Sequence, residues 1–354
     1  MTPQDPSRPV RILILGTGSM AKSHVEAYAG VPGAELVAGV DSRPEVLAEF
    51  CATHGIPHGF ATLDEALAWG EFDAVSNVTP DAAHHPTTMP LLAADKHVLC
   101  EKPLATSHAE ALEMARAAEA AGVANMVNLS YRHVVPALPM AAQMVADGVL
   151  GNLRHFEASY LQSWLTQPAW GDWRTDPRWL WRLSTEHGSK GVLGDVGIHI
   201  LDFTTFAAGS MPADISCRLK TFAKAPGHRI GEYRLDANDS FVMHLELEDG
   251  AIGTISASRF APGHHNDLRL RLFGDKGGML VSYEDGVSRL EVCLGDDMLT
   301  GTWRPVETPK VPTIYQRFVD AVRGDGPSDP DFARGAALQA VLDAAEADGL
   351  GAHD

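Results

Sequence analysis

Residues 10–21 read VRILILGTGSMA, a run of branched aliphatic side chains followed at once by two closely spaced glycines. The aliphatic half predicts a buried β-strand, and the second half matches the GxGxxA form of the dinucleotide-binding fingerprint. In such a loop Gly16 allows a tight turn, Gly18 lets the backbone approach a pyrophosphate, and Ala21 lets the following helix pack close to the strand. The helix N-terminus offers free N–H groups to the phosphates. The remaining loop residues predicted to bind the cofactor are Thr17, Ser19 and Met20.

A second predicted strand, residues 35–40, ends at Asp41, about 20 residues beyond the glycines, where a ribose-binding carboxylate is expected. A carboxylate at this point accepts hydrogen bonds from both ribose hydroxyls and repels a 2′-phosphate, which favours NAD over NADP. Ser42 and Arg43 follow, and this pair could instead hold a 2′-phosphate, so NADP stays open. Ser42 has a structural alternative as well, because Ser42-x-x-Glu45 predicts a capping box for the next helix.

Strands and helices continue to alternate up to about residue 130. This rhythm predicts a parallel, doubly wound sheet, and therefore an α/β Rossmann dinucleotide-binding domain over residues 1–130. Right-handed crossovers place the ends of the first, fourth and fifth strands along one edge of that sheet. Lys102, which follows the fifth strand, should therefore face the same crevice as the Gly16 loop. The further strands of this half are predicted at residues 73–78, 97–99 and 124–129.

The second half of the chain has a different pattern, because long alternating segments replace the strand–helix rhythm. A turn at residues 248–250, which ends in a glycine, predicts a hairpin between the segments on either side. Consecutive strands with short turns predict an α+β domain with a large, mostly antiparallel sheet over residues 131–354. The predicted strands are residues 154–161, 215–222, 239–247, 252–260, 268–273 and 278–283, and the predicted helices are residues 136–148, 195–208, 313–323 and 332–347.

Three motifs in the chain agree in spacing with one known family. They are Gly16-x-Gly18-x-Met20-Ala21, Thr79-Pro80-x-x-x-His84, and Asp95 through Pro103, which reads DKHVLCEKP. On these motifs the chain resembles the glucose-fructose oxidoreductase/inositol dehydrogenase/rhizopine catabolism (Gfo/Idh/MocA) family. The resemblance implies that Glu101 and Lys102 lie beside the nicotinamide and the substrate. It also implies cofactor contacts from Thr79, Pro80 and His84, although a local hydrogen bond at a helix start explains His84 equally well.

Asp195 and His199 form a second chemical motif, which follows a glycine-rich segment. Residues four apart share one helix face, so the carboxylate can orient the imidazole or raise its basicity, as a general base requires. The pair also matches the family's Asp-x-Gly-x-His motif, although Ser189 and Lys190 interrupt the adjacent glycines that the family often has. The resemblance implies a dehydrogenase that oxidises a hydroxyl of a sugar, polyol or cyclitol by hydride transfer to nicotinamide. Its acid–base set would be Lys102, Asp195 and His199, and either Lys102 or His199 could take the hydroxyl proton.

Further substrate contacts are predicted from polar and aromatic residues beyond the first sheet. Asn128 and Arg132 lie at the exit from that sheet, where they could reach the substrate crevice or bridge the two domains. Five tryptophans fall within residues 164–181, and Trp173 is the predicted substrate contact among them. Aromatic faces beside hydrogen-bonding groups suit the C–H faces and hydroxyls of a sugar, but tryptophan packing at a subunit interface explains the segment as well.

Composition narrows the range of partners. The formal net charge of -18 argues against a nucleic acid or a membrane surface, because both favour a basic patch. The 4 cysteines are scattered and the histidine pairs at 84–85 and 264–265 point in different directions, so neither disulfides nor a metal site are predicted. With a polar N-terminus and no apolar run of about 18 residues, the chain is predicted to be cytoplasmic. The family resemblance implies a small carbohydrate or cyclitol substrate, and a homodimer or homotetramer joined through the second sheet.

Three other functions remain open on the same fold: a non-catalytic NAD(P)-sensing regulator, an NAD-dependent glycosidase, and an NADPH-dependent reductase of keto-sugars. Retention of Lys102, Asp195 and His199 disfavours the regulator, because a sensor needs the cofactor loop but no acid–base set. Tight NAD that turns over without net reduction would indicate the glycosidase. A preference for NADPH would indicate the reductase.

Overall fold

The computed structural model describes residues 8–168 and 170–351 and divides the chain into two compact units. Unit 1 takes in the described residues up to Ser130 together with Pro312–Ala340. Unit 2 takes in Tyr131–Val311 together with the described residues from Val341 onward. The chain therefore leaves unit 1 after Ser130 and returns to it at Pro312, whereas the sequence pattern predicts residues 131–354 as one domain.

The secondary structure alternates strictly in the first third of the chain and is rich in strands afterwards. The strands are β1 (Val10–Leu15), β2 (Ala34–Val40), β3 (His58–Phe60), β4 (Ala74–Asn77), β5 (His97–Cys100), β6 (Asn125–Val127), β7 (Leu153–Leu161), β8 (Pro212–Lys220), β9 (Arg229–Ile230), β10 (Tyr233–Arg234), β11 (Ser240–Leu247), β12 (Ile252–Ser258), β13 (Asp267–Gly274), β14 (Gly277–Glu284), β15 (Val287–Leu294) and β16 (Arg304–Pro305). The α-helices are α1 (Ser19–Tyr28), α2 (Pro44–His54), α3 (Leu63–Trp69), α4 (His84–Ala93), α5 (His108–Ala121), α6 (Tyr131–Val134), α7 (Ala137–Ala146), α8 (Pro177–Leu180), α9 (Ile198–Ala208), α10 (Asp297–Thr300), α11 (Ile314–Arg323) and α12 (Phe332–Gly351). None of these described helices combines the length and the apolar character that crossing a bilayer requires.

The sheet of unit 1 is parallel, and its strand order is β3-β2-β1-β4-β5-β6. The order reverses between β1 and β4. Open α/β sheets bind their ligands at such a switch point, beyond the carboxyl ends of the strands. The ends of β1, β4 and β5 are neighbours there, so the predicted Rossmann sheet and its shared edge are confirmed.

Some helices of unit 1 begin at capping residues that the sequence indicates, and others do not. Thr62 caps α3 through a reciprocal capping box, and Ser107 caps α5. The capping box predicted for Ser42 is wrong, because α2 begins at Pro44 and its N-cap residue is Arg43, which makes no side-chain cap. Proline is favoured at the first helical position, since the N–H that it lacks would be unpaired there anyway.

The core of unit 1 explains why the chain returns to it. Buried aliphatic residues of β1 pack in one cluster with Phe318 and Val319 of α11, which are both 0% exposed. The N–H of Val127 at the end of β6 donates to the carbonyl of Pro330 at 2.9 Å. These contacts depend on tertiary packing, so a local pattern that predicts one domain over residues 131–354 cannot reveal them.

Unit 2 contains an eight-stranded sheet with the order β16-β15-β14-β13-β7-β12-β11-β8. Its neighbouring strands are antiparallel except for β7 and β12, which run parallel. β11 and β12 form the hairpin predicted around residues 248–250. β15 and β16 extend the sheet beyond the strands predicted from the sequence. The predicted large, mostly antiparallel sheet is confirmed.

The entry to α9 is irregular. Leu193–Gly197 forms a π-helical segment, and α9 follows it directly. Gly209 ends the helix with a φ of 67°, in the left-handed region that glycine adopts without strain. Asp195 lies in the π segment and His199 in the first turn of α9. Short π segments inside helices are rare and are frequently found at functional sites.

Candidate active site

The loop between β1 and α1 has the geometry that its glycines predict. Gly16 has a φ of +88°, and a Cβ there would lie 2.9 Å from the carbonyl oxygen of Val78, so only glycine fits. A Cβ on Gly18, in contrast, would meet no atom of the described residues within 4 Å. Packing of the chain itself therefore does not require glycine at this position, which agrees with a loop shaped for close approach of a ligand. Ser19 and Met20 are exposed at the start of α1.

Asp41, at the end of β2, is buried, and its carboxylate accepts five hydrogen bonds. Thr17 donates from its backbone N–H at 3.0 Å and from its hydroxyl at 2.8 Å, which ties the glycine loop to β2. Arg43 donates from its backbone N–H at 3.0 Å, from Nε at 2.9 Å and from Nη2 at 2.8 Å. The Arg43 side chain, with help from Thr17, holds the pKa of Asp41 well below its ordinary range. Asp41 is therefore an ionised carboxylate that is already paired.

Both residues that follow Asp41 are exposed, and the side chain of Arg43 is 60% accessible. A guanidinium bound to the carboxylate competes with ribose hydroxyls for its lone pairs, and guanidinium is also a strong ligand for phosphate. The acid that favours NAD is thus in direct contact with the cation that could hold a 2′-phosphate. Ser42 makes no cap and is accessible beside them.

Glu101 is buried beyond the end of β5, and three groups of unit 1 hold its carboxylate. His24 Nε2 lies 2.8 Å from Oε1, the Asn128 amide donates to the same oxygen, and the backbone N–H of Lys102 donates to Oε2 at 3.1 Å. Burial raises the pKa of this carboxyl, but the hydrogen bond and charge of His24, followed by the charge of Lys102, outweigh it and lower the pKa to about 2. Glu101 is therefore an ionised anchor, and Lys102 is half-buried beside it.

His84 ties the loop after β4 to the Glu-Lys-Pro loop. Its ring is 0% exposed, with Nδ1 2.7 Å from the carbonyl oxygen of Pro103 and Nε2 2.9 Å from that of Thr79. Thr79 is fixed in turn by Asn77, whose side-chain oxygen accepts from the N–H and the hydroxyl of Thr79. Pro80 is exposed. These contacts fit the structural interpretation of His84, and its contact with a cofactor stays a prediction.

In unit 2, two arginines from distant parts of the chain hold the carboxylate of Asp195. Arg182 Nη1 lies 3.1 Å from Oδ1, and Arg259 Nη2 lies 2.8 Å from Oδ2. Arg259 is 0% exposed, and its guanidinium also donates to the carbonyl oxygens of Arg182 at 3.1 Å and of Gly191 at 3.4 Å. Burial lowers the pKa of Arg259, and the negative charge of Asp195 opposes that shift. The sequence pattern pairs Asp195 with His199, and the structure adds these arginines, which fix the orientation of the carboxylate.

His199 is half-buried and lies against two tyrosines of unit 2. The centroid of the Tyr131 ring is 5.0 Å from that of His199, in an edge contact at 87°, and that of Tyr160 is 6.5 Å away. The two tyrosine hydroxyls share a hydrogen bond of 2.6 Å. Burial raises the pKa of Tyr131 to about 12 and that of Tyr160 well above its ordinary value, so both stay protonated. The neutral rings hold the imidazole in a defined orientation.

Arg132, a predicted substrate contact, is engaged inside unit 2. Its Nε and Nη2 donate to the two carboxylate oxygens of Asp202 at 2.8 Å and 2.6 Å, and both side chains are 4% exposed. The guanidinium also lies 4.0 Å from the centroid of the Phe206 ring. A buried bidentate pair of this kind joins α6 to α9. Asn128 is bound within unit 1 by Glu101, and the substrate contacts of Arg132 and Asn128 stay predictions.

Trp173, also a predicted substrate contact, is 3% exposed. It belongs to an apolar cluster whose other buried members are Trp164, Leu165, Leu180, Leu183 and Leu235. Much of the segment at residues 164–181 therefore forms a small core of its own. Trp181 differs, because it is 37% exposed and Arg182 lies 4.7 Å from its ring centroid. Packing accounts for Trp173, and its contact with a substrate stays a prediction.

The cysteines and the possible metal ligands add little to the site. Cys51, Cys100, Cys217 and Cys293 are free thiols. Within residues 8–168 and 170–351, no group of three or more histidine, cysteine, aspartate or glutamate side chains is arranged to hold a metal ion.

Comparison with known proteins identifies the family. Residues 10–129 match the model described as oxidoreductase family, NAD-binding Rossmann fold, and residues 140–280 match that of the GFO/IDH/MocA C-terminal domain. The scyllo-inositol 2-dehydrogenase (NADP(+)) IolU of Bacillus subtilis is 33% identical over 318 residues, which cover 89% of this chain and 88% of that protein. The chain belongs to the Gfo/Idh/MocA family. The resemblance inferred from the three sequence motifs is confirmed.

Two further similarities support membership of the Gfo/Idh/MocA family. The levoglucosan dehydrogenase of Pseudarthrobacter phenanthrenivorans is 26% identical over 297 residues, covering 77% of this chain and 73% of that protein. The crystal structure of an oxidoreductase domain protein from Kribbella flavida has a TM-score of 0.85 and 29% sequence identity, and the match covers 98% of both chains. The predictions of an oxidoreductase and of a nicotinamide cofactor are confirmed.

Some residues that hold the candidate site residues are absent from the sequence predictions, namely His24 in unit 1 and Arg182, Arg259, Tyr131 and Tyr160 in unit 2. His24 does carry a readable signal, because it lies on the otherwise apolar, buried face of α1, where a histidine needs hydrogen-bond partners. Arg259 carries none, since it follows β12 and is separated from Asp195 by 64 positions. Arg182 lies in an irregular segment whose path the local sequence does not specify.

Proposed function

We propose that this chain is an NAD(P)-dependent dehydrogenase that oxidises a hydroxyl of a sugar, polyol or cyclitol. The observation that carries the proposal is the family match over both halves of the chain, together with relatives named for levoglucosan and scyllo-inositol. Both compounds are rings that carry secondary hydroxyls. The proposed substrate class is defined by this feature, which the two compounds share.

The residues of unit 1 fit a bound NAD(P). The turn at Gly16 and the accessible backbone at Gly18 suit a pyrophosphate, which the N-terminal end of α1 would attract. Asp41 lies where the ribose hydroxyls of a dinucleotide are recognised. When bound, the cofactor supplies the nicotinamide that accepts the hydride.

The protein would handle the proton of the reacting hydroxyl. His199 is the proposed acceptor, because imidazole is a base near neutral pH and two protonated tyrosines orient its ring. Asp195, fixed by Arg182 and Arg259, would stabilise the imidazolium that forms.

Lys102 is proposed to stabilise the developing alkoxide through a hydrogen bond or its positive charge. Glu101 supports this role, since its carboxylate anchors the backbone N–H of Lys102 at 3.1 Å. The proton itself could pass to Lys102 or to His199. The two residues therefore form one proposed acid–base set with Asp195.

A substrate panel tests the reaction class. Sugars, polyols and cyclitols would be supplied with NAD and, separately, with NADP, and formation of reduced nicotinamide followed by absorbance. We expect at least one ring compound with secondary hydroxyls to give a signal. Absence of any signal with either cofactor would contradict the dehydrogenase.

Lys102→Ala tests the acid–base set. We expect turnover to fall by at least about 10²-fold while affinity for the cofactor is nearly kept, since this is the scale of a lost acid–base or oxyanion partner. Lys96→Ala is the matched control, because Lys96 precedes β5 and its ammonium donates to the carbonyl oxygens of Gly70 and Phe72. Near-normal turnover of Lys102→Ala would remove Lys102 from the mechanism.

Two further properties of the protein stay predictions. They are the homodimer or homotetramer and the cytoplasmic location. The net charge of -18 continues to argue against nucleic acid as a partner.

A further inference from the structure

Lys102 stands between two residues that are each held by a buried histidine. Glu101, before it, is bound by His24, and Pro103, after it, is bound by His84. Both histidines are 0% exposed. A buried polar side chain is retained only when its hydrogen bonds offset the loss of water. The placement of one such ring on each side of a single lysine therefore suggests that the two histidines have a common role.

His24 reaches Glu101 from α1, the helix that starts at the glycine loop. Its Nε2 lies 2.8 Å from Oε1 of Glu101, and its Nδ1 lies 2.7 Å from the hydroxyl of Ser76. An ionised carboxylate only accepts hydrogen bonds, so Nε2 carries the proton and donates. The Ser76 hydroxyl can donate to Nδ1 or accept from it. Both ring nitrogens are thus satisfied, and the ring links the cofactor loop to Glu101.

His84 reaches the other neighbour of Lys102 from the first turn of α4. Its Nδ1 is 2.7 Å from the carbonyl oxygen of Pro103, and its Nε2 is 2.9 Å from that of Thr79. Carbonyl oxygens only accept, so each contact is a hydrogen bond only when that nitrogen carries a proton. The contact with Pro103 needs a proton on Nδ1, and the contact with Thr79 needs one on Nε2. His84 therefore joins the loops that follow β4 and β5.

We propose that His24 and His84 are positioning residues that fix the backbone on either side of Lys102 for hydride transfer. This inference rests on the proposed function, because it assigns Lys102 a role in turnover. Neither histidine needs to touch the substrate. His24 acts by holding Glu101 ionised and in place, and His84 acts by holding the carbonyl of Pro103.

Because Glu101 is charged, loss of the His24 contact should change how activity depends on pH. The ionisable groups that act on this carboxyl or feel its charge are His24, Lys102, Tyr315 and Cys100. Burial disfavours the ionised form, and His24 makes the largest contribution that favours it. Removal of the His24 donor therefore leaves a carboxyl that becomes neutral at a higher pH than in the native protein.

Substitution of each histidine by asparagine and by glutamine distinguishes the hydrogen bond made by Nδ1 from that made by Nε2. The amide nitrogen of asparagine lies near the position of imidazole Nδ1, and that of glutamine lies near Nε2. His24→Gln thus keeps a donor for Glu101, whereas His24→Asn loses it. At position 84 the two substitutions have the opposite effect: His84→Asn keeps the donor for Pro103, and His84→Gln loses it. His97 on β5 is the control, because its Nδ1 accepts only from the N–H of Ala124 among the described residues.

The expected effect on kcat is therefore also opposite at the two positions. His24→Asn and His84→Gln should lower kcat by about 10- to 100-fold, the scale of a small displacement in a catalytic group, with KM for NAD within about 3-fold. His24→Gln and His84→Asn should lose less than about 5-fold, and His97→Asn should behave as the native protein. The defect of His24→Asn should also deepen between about pH 8 and about pH 5.5. Equal losses for asparagine and glutamine at either site would overturn the proposal.

A measurement that needs no turnover separates this proposal from the proposed function. Carboxyl ¹³C NMR of protein labelled at glutamate, with Glu101→Gln to assign the signal, reports the ionisation of Glu101 directly. In the native protein and in His24→Gln the signal should stay that of a carboxylate in mildly acidic buffer, and in His24→Asn it should titrate. If the panel finds no substrate and Glu101 still titrates as expected, the dehydrogenase fails and the anchoring by His24 stands. An unchanged titration in His24→Asn would refute the anchoring.

Discussion

Replacement of Arg43 by alanine is expected to shift the cofactor preference toward NAD. Three of the five hydrogen bonds to the Asp41 carboxylate come from Arg43, and two of these come from its guanidinium. The same guanidinium is 60% exposed, so it can turn toward a ligand phosphate. Arg43→Ala removes a group that competes with the ribose hydroxyls for Asp41 and, at the same time, the cation that we expect to bind a 2′-phosphate.

The size of the shift follows from the two contacts that change. A hydrogen bond to a charged group contributes about 1.5–3 kcal/mol, so loss of one contact to a 2′-phosphate lowers kcat/KM for NADP by about 10- to 100-fold. An exposed ion pair contributes about 0–1 kcal/mol, so its removal improves kcat/KM for NAD by less than about 5-fold. The ratio of the two constants should therefore rise by at least about 10-fold.

Initial rates at several concentrations of each cofactor give that ratio, and the fluorescence of bound NADH and NADPH gives the affinities independently. Arg8→Ala is the matched control, because Arg8 also forms an exposed ion pair in unit 1, with Asp73. Arg43→Lys should lie between the native protein and Arg43→Ala, since lysine keeps the charge but lacks the fork of donors. An unchanged ratio, or equal losses for both cofactors, would refute the reasoning.

Substitutions at Gly16, Gly18 and Arg259 have expected outcomes that differ in kind. Gly16→Ala should destabilise the protein by at least about 1–2 kcal/mol in chemical denaturation, because the new Cβ meets a carbonyl oxygen at a positive φ. Gly18→Ala should leave the stability unchanged and weaken NADH binding, which NADH fluorescence would measure. Arg259→Met should lower the free energy of unfolding by about 3 kcal/mol, because it leaves the Asp195 carboxylate without its buried partner. Arg259→Lys should restore only part of that stability. Equal stability of the native protein and both variants in denaturant would contradict the buried pair.

Much of the fold can be predicted from short-range patterns. The aliphatic run at residues 10–15, the glycines after it and the repeated strand–helix rhythm specify the parallel sheet, because each signal is local. The return of Pro312–Ala340 to unit 1 has no such signal. The amphipathic pattern of α11 predicts a buried face but not the sheet on which that face packs. β15 and β16 are missed for a related reason, since burial along β15 does not alternate regularly and β16 has only 2 residues.

The site divides in the same way. Gly16, Gly18 and Asp41 are predictable because the dinucleotide fingerprint fixes both residue type and spacing. The partners of Asp195 are not, because Arg259 is 64 positions away and meets it only through the fold of unit 2. Arg132 is a different case: a polar residue at a strand exit suggests a ligand contact, and the structure adds a partner within the chain, Asp202, that the sequence does not indicate. Polarity at such a position predicts hydrogen bonding without naming the partner.

The packing of Phe318 and Val319 against β1 has a consequence for biosynthesis. A nascent chain that has left the ribosome as far as Ser130 carries all six strands of the first sheet but not the helix that covers part of it. Unit 1 is completed only after residues 312–340 emerge, and unit 2 only after the residues from Val341 onward follow them. Both units therefore depend on the last part of the chain to be synthesised. A chain interrupted between Ser130 and these residues would expose the aliphatic surface of β1 that α11 covers, and such surface is recognised by chaperones and proteases.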